Sequence, residues 1–178
     1  MEECCCSGEA EAGSEKCPQC GAVGKAVSTL TLKQMVKPEF LGVVDKPGFR
    51  FCRTATCKVV YFHSDGDRLE KKDVRVRVGL KESEDPVPVC YCFGFTEAMV
   101  RKEIRETGRC TIPERITAEI KAGHCACEIR NPQGSCCLGN VNAAVKRLLV
   151  LRSEAAALPA LRARGDGGRA GIIWVPRV

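Results

Sequence analysis

Between Cys17 and about Leu80, short apolar and β-branched runs alternate with turn-forming residues. Ala26–Leu32, Phe49–Cys52, Lys58–Phe62 and Val74–Val78 are separated by Lys46-Pro47-Gly48 and Ser64-Asp65-Gly66-Asp67, the punctuation of small β hairpins. In Val74-Arg75-Val76-Arg77-Val78 apolar and charged positions alternate strictly, the period of a strand with one buried face. After Cys92 the period lengthens. Thr96 is a helix cap for a run to about Thr107, with Gly108 as its stop and Val100 and Ile104 facing inward. Thr111 and Glu114 have the spacing of a capping box, with Pro113 in the first turn, Ile116 and Ile120 turned inward and Gly123 at the end. The short connection makes these two helices a hairpin. A third helix is expected from near Asn140 to past Leu149.

The pattern divides the chain. Residues 1–16 carry three adjacent cysteines among Gly, Glu, Ala and Ser and have nothing to pack, which predicts a flexible leader. A small β domain is expected over 17–84 and a small helical domain over 85–147, giving an α+β protein. From 148 to 178 there is no Cys and no Lys, only Arg-based basicity among Ala and Gly, and this stretch is expected to be a poorly ordered extension.

Composition sharpens the picture chiefly through cysteine, of which there are 14 among 178 residues. The opening Met1-Glu2-Glu3-Cys4 has neither the basic nor the apolar region of a secretory signal, and no stretch is apolar enough to span a membrane, so a cytoplasmic protein without membrane insertion is expected. In a reducing compartment, cysteines at short repeated spacings are read as soft-metal ligands before disulfides. Nine aromatic residues are too few for a stacking platform along single-stranded nucleic acid. The net charge of +6 takes every thiol as neutral; eight thiolates on two doubly charged metal centres would reduce it to +2. Arg and Lys are also interspersed with acids, so no nucleic-acid partner is expected.

Two constellations carry the chemistry. Cys17-Pro18-Gln19-Cys20-Gly21 and Cys52-Arg53-Thr54-Ala55-Thr56-Cys57 each place two sulfurs around a turn, and two such knuckles supply a tetrahedron of thiolates. This is zinc geometry, with an iron site and simple thiols as alternatives. Four protein ligands leave no open position for water, which speaks against hydrolytic chemistry and against an enzyme. The β half has few large apolar residues, so a metal staple is physically reasonable. The second constellation is Cys90-Tyr91-Cys92 followed by Cys125, Cys127, Cys136 and Cys137. Four thiolates around a helical hairpin suit a [2Fe–2S] cluster, two per iron; by spacing alone a second zinc or a reactive thiol set remain open.

Pro88-Val89-Cys90-Tyr91-Cys92-Phe93-Gly94-Phe95-Thr96, Val59-Val60-Tyr61-Phe62, Arg77-Val78-Gly79-Leu80-Lys81-Glu82 and Asn131-Pro132-Gln133-Gly134-Ser135-Cys136-Cys137 together resemble the zinc and iron–sulfur domain of CopZ-type copper chaperones. The cluster half is also similar to bacterioferritin-associated ferredoxin. The resemblance covers about Cys17 to Lys146. It implies zinc on Cys17, Cys20, Cys52 and Cys57, and a [2Fe–2S] cluster on Cys90, Cys92, Cys127 and Cys137, with Cys125 and Cys136 as close competitors. It further implies copper homeostasis, with a one-electron cluster reducing Cu(II) to Cu(I), an electron donor, and a copper-exporting P-type ATPase as partners. The Met-x-Cys-x-x-Cys copper loop of such chaperones does not follow Cys137 in this sequence. Cys4, Cys5 and Cys6 are the candidate substitute, three soft sulfurs suited to Cu(I) or Hg(II), the alternative being a plain leader with oxidisable thiols. The alternative is a ferredoxin-like electron carrier or cluster-based sensor that has nothing to do with copper. The two metal halves, each with its own ligands, are expected to hold independently.

Overall fold

A computed structural model describes residues 15–162. The leader cysteines Cys4, Cys5 and Cys6, and the extension after Arg162, lie outside the described residues.

The N-terminal half is built on a four-stranded antiparallel sheet in the order β1 (Lys25–Ala26), β2 (Arg50–Phe51), β3 (Val59–Phe62) and β4 (Arg68–Glu70). β3 lies inside the sheet and all four of its residues are buried, so it reads Val-Val-Tyr-Phe without alternation. The register sets Phe51 opposite Tyr61 and Tyr61 opposite Leu69, and these three side chains join Leu32, Met35, Val36, Val44, Phe49 and Val60 in the first core.

Two expectations fail here for tertiary reasons. Ala26–Leu32 is not a strand beyond Ala26, because the Ser28 hydroxyl accepts from the Thr31 amide at 3.2 Å and opens helix α1 (Thr29–Met35). Thr31, Leu32 and Met35, at helical spacing, are then the buried residues. Val74–Val78 does not form a regular strand. Val74 makes a single bridge to Val36, Arg75 donates from its amide to Met35 and from its side chain to the Val36 carbonyl, and the chain bends into a 3₁₀ turn at Gly79–Lys81. Val74 and Val78 are buried nonetheless.

The second half starts with a hairpin of β5 (Pro88–Cys90) and β6 (Phe95–Thr96) and continues through α2 (Glu97–Thr107), α3 (Ile112–Lys121), the single turn α4 (Cys127–Arg130) and α5 (Leu138–Arg162). α2 is as local chemistry dictates: the Thr96 hydroxyl accepts from the Met99 amide, and Gly108 closes the helix in the left-handed conformation. At α3 the capping box does not form. Thr111 instead gives both its amide and its hydroxyl to the Glu103 carboxylate, at 2.8 and 2.7 Å, which ties α3 to α2. Val89, Val100, Ile104, Ile112, Ile116, Val141, Ala144 and Leu148 make the second core. The third helix begins at Leu138, and the expected boundary at 147 is overrun: Leu148 is buried, and Arg152 donates to the Ile104 carbonyl. None of the described helices is long and apolar enough to cross a membrane.

The two halves are docked. The segment from Glu128 to Ser135 rests on the β half: Thr31 Oγ1 donates to the Glu128 carbonyl at 2.7 Å, Ser28 to the Glu128 carboxylate at 3.3 Å, Lys25 to Ser135, and the buried Tyr61 hydroxyl to the Pro132 carbonyl at 2.6 Å. Gly134 is required at this contact; its φ is +61°, and a Cβ there would sit 2.9 Å from Thr31 Oγ1. Tyr61→Phe leaves a buried carbonyl without its donor, so it is expected to cost about 1–3 kcal/mol. Urea unfolding checks this: the midpoint falls with an unchanged slope.

Candidate metal centres

Cys17 and Cys20 flank a turn closed by the Gly21 amide on the Cys17 carbonyl at 2.8 Å, with Lys16 and Val23 bridged behind it. Cys52 leaves β2, its amide held by Val60 O, and Cys57 closes a second turn on Thr54 O just before β3. The two turns face each other. Cys17 Sγ lies 3.8 Å from Cys57 Sγ and Cys20 Sγ 3.6 Å from Cys52 Sγ, and all four sulfurs are within 4.8 Å of one another. Sulfurs each about 2.3 Å from one tetrahedral ion stand roughly 3.8 Å apart, so the donor set fits zinc. Val59 and Phe62 pack against three of the cysteines, while Cys20 faces solvent.

The protonation chemistry of the quartet is unequal. Hydrogen bonding with Thr54 and with the Ala22 backbone holds the Cys20 thiol down, to about 6. Burial pushes Cys57 up to about 12 and raises Cys17 as well. One thiolate forms readily at the rim; the buried thiols need a cation before they ionise. His63 takes no part: Nε2 is engaged with the Pro47 carbonyl at 3.0 Å, and Nδ1 accepts from the Asp65 amide at 3.2 Å.

The second set is arranged differently. Cys90, at the end of β5, and Cys137, at the foot of α5, are buried together in the second core. Cys92, in the β5–β6 turn, lies 3.5 Å from Cys127 at the start of α4. The Ala126 amide points at Cys92 Sγ at 3.4 Å. Contact with Cys137 lowers the Cys90 thiol to about 6, and the same contact, with burial, raises Cys137. Burial and the neighbouring Cys92 raise Cys127 to about 12. Of the competing neighbours, Cys136 is exposed and Cys125 half-buried. Among the described residues only the first quartet gathers all its sulfurs within 4.8 Å.

A family model described as a zinc binding domain, that of CopZ, matches residues 14–75, a span that contains all four cysteines of the first quartet. The copper chaperone CopZ of Archaeoglobus fulgidus is 38% identical over 122 residues, which are 68% of this chain and 57% of that protein. The X-ray structure of the A. fulgidus CopZ N-terminal domain superposes with a TM-score of 0.61 at 34% identity, covering 72% of this chain and 95% of that domain. The chain belongs to the CopZ family. Its first quartet is the zinc-binding cysteine cluster of the CopZ zinc domain. The chain spans just over half of the curated CopZ that it matches.

The β5–β6 hairpin that presents Cys90-Tyr91-Cys92 is only five residues of strand, too short for the residue pattern to show. Tyr91, between the two cysteines, receives the Gly79 amide on its hydroxyl at 2.8 Å and donates to the Arg77 carbonyl at 3.0 Å, fixing the turn to the segment before it.

Proposed function

We propose that this chain is a cytoplasmic, non-enzymatic protein of soft-metal homeostasis that handles copper, with zinc holding its β half and a [2Fe–2S] cluster on Cys90, Cys92, Cys127 and Cys137. The relationship to a protein named as a copper chaperone supports copper handling. One observation carries the cluster: Cys92 and Cys127 pair at 3.5 Å while the four sulfurs of the second set do not gather within 4.8 Å of one another, where a single zinc would ask for one compact quartet. Those four cysteines would hold the cluster, which would supply one-electron chemistry, with an external electron donor providing the one electron that each reduction of Cu(II) to Cu(I) needs. The protein's own part is to hold the sulfurs, to aim the Ala126 amide at Cys92 and to keep Cys90 and Cys137 buried. Cys4, Cys5 and Cys6 are assigned to Cu(I) capture on the chemistry of three adjacent soft sulfurs. A copper-exporting P-type ATPase is the recipient in this reading.

A second reading, an electron carrier or redox sensor without copper, is favoured by one fact. Among the described residues Cys110, Cys125 and Cys136 are the thiols left over, and they form no third ligand group. Anaerobic purification with metal and sulfide analysis, followed by Cu(I) titration against a competing chelator, separates the two. About two iron, two sulfide and one zinc per chain are expected. Cu(I) capacity is expected to fall when the chain begins at Ser14. Zinc alone removes the cluster; equal Cu(I) binding by both forms leaves the electron-carrier reading.

A further inference from the structure

Lys81, in the 3₁₀ turn Gly79–Lys81, is only 7% exposed, an uncommon state for a lysine without an acidic partner. Its amino group donates to two carbonyls, Thr54 at 2.8 Å and Cys57 at 3.1 Å, and lies 5.9 Å from the centre of the Phe51 ring. Among the described residues no carboxylate pairs with it. The adjacent Glu82 is already shared by Lys71 and Arg77. Both carbonyls that Lys81 touches belong to the turn joining Cys52 to Cys57, the second knuckle of the zinc site. Four thiolates on a divalent ion leave two formal negative charges unbalanced inside the protein, next to that turn. A buried cation that no carboxylate pairs among the described residues thus meets the anionic centre at Cys57.

We propose that Lys81 is the built-in counter-charge of the zinc–thiolate centre and the clamp on its second knuckle, a positioning residue from outside the matched zinc-domain span of 14–75. This rests on the zinc reading of the first quartet. The Nζ–carbonyl bonds hold the Cys52–Cys57 turn in its ligating shape before metal arrives. The positive charge then stabilises the thiolate form, in a medium where charge interactions are stronger than in water.

The test is zinc affinity of the full chain, reduced and anaerobic, measured by competition with a chromogenic zinc chelator. Lys81→Gln keeps donors for the two carbonyls and removes the charge; it is expected to weaken zinc about 10–100-fold. The same change is made on a Cys20→His background, where a neutral ligand replaces one thiolate and halves the excess negative charge. There the penalty should shrink to roughly 3–10-fold, since the interaction scales with the product of charges. A purely structural role would give the same penalty on both backgrounds. Should Lys81→Gln not fold, Lys81→Arg and Lys81→Met are compared instead, similar in bulk and different in charge, with Arg expected to bind zinc at least tenfold more tightly. Equal penalties on the two backgrounds, Lys81→Gln within about twofold of the unaltered chain, or equal affinities for Arg and Met would overturn the counter-charge. An unaltered chain that takes up no zinc in the same assay overturns the zinc site itself, a distinct result.

Discussion

Serine in place of Cys90 or Cys92 is expected to bleach the anaerobically purified protein, removing its brown colour and its visible charge-transfer absorption. Each change deletes a thiolate that would keep an iron in place. Neither loss has a substitute at hand on the β5–β6 hairpin, since Cys90 and Cys92 are its only cysteines. Cys90 is 1% exposed and shares the second core with Cys137; Cys92 meets Cys127 and takes the Ala126 amide. Cys125→Ser and Cys136→Ser are expected to keep the absorption, because their sulfurs are not in either pair. Ultraviolet–visible spectra and iron content of the four variants decide it. Normal spectra for both Cys90→Ser and Cys92→Ser would sink the ligand set, and bleaching by Cys125→Ser or Cys136→Ser would move a ligand to the neighbouring position.

That pair of choices marks the limit of what spacing conveys. Cys17-x-x-Cys20 and Cys52 to Cys57 are legible because each knuckle is a local turn, and the meeting of the two turns follows from the economy of one four-ligand ion. Cys125 and Cys127 are two residues apart, so local chemistry treats them alike; only the packing of α4 against α1 presents Cys127 to Cys92. α2 was legible for the same local reason as the knuckles, since Thr96 and Gly108 act within their own turns. Where a distant group intervenes, the pattern misleads. Glu103 claims Thr111 from its expected capping box, and Met35 and Val36 claim Arg75 from its expected strand. Lys81 sits in Lys81-Glu82-Ser83-Glu84-Asp85, which reads as solvated surface, and its burial follows from carbonyls more than twenty residues away. Tyr61 gave no hint of its bond to Pro132, 71 residues on.

The docking that these distant bonds create changes what zinc loss should do. Independent ligand sets suggest that Cys57→Ser would unfold the β half and spare the iron. The packing says otherwise. A structural zinc site contributes on the order of 10 kcal/mol of folding free energy, comparable with the whole stability of a small domain. Removing one buried thiolate from the quartet is therefore expected to lose zinc and unfold the sheet. With the sheet go Thr31, Tyr61, Ser28 and Lys25, the groups that brace Glu128, Pro132 and Ser135 between Cys127 and Cys137. Asn131 ties the loop to itself, accepting from the Gln133 amide at 3.0 Å and donating to the Ser135 carbonyl at 2.6 Å, but the seat of the segment on the β half is made by the groups just named. Iron release to a chelator from Cys57→Ser is thus expected to be at least tenfold faster than from the unaltered chain, the brace being several hydrogen bonds of about 1 kcal/mol each. Thermal unfolding followed in parallel by far-ultraviolet circular dichroism and by visible absorption should show both signals falling earlier and together. A variant that has lost its zinc and its sheet signal yet keeps iron at the original rate would show that the two halves stand alone, and that the bonds across their boundary transmit nothing.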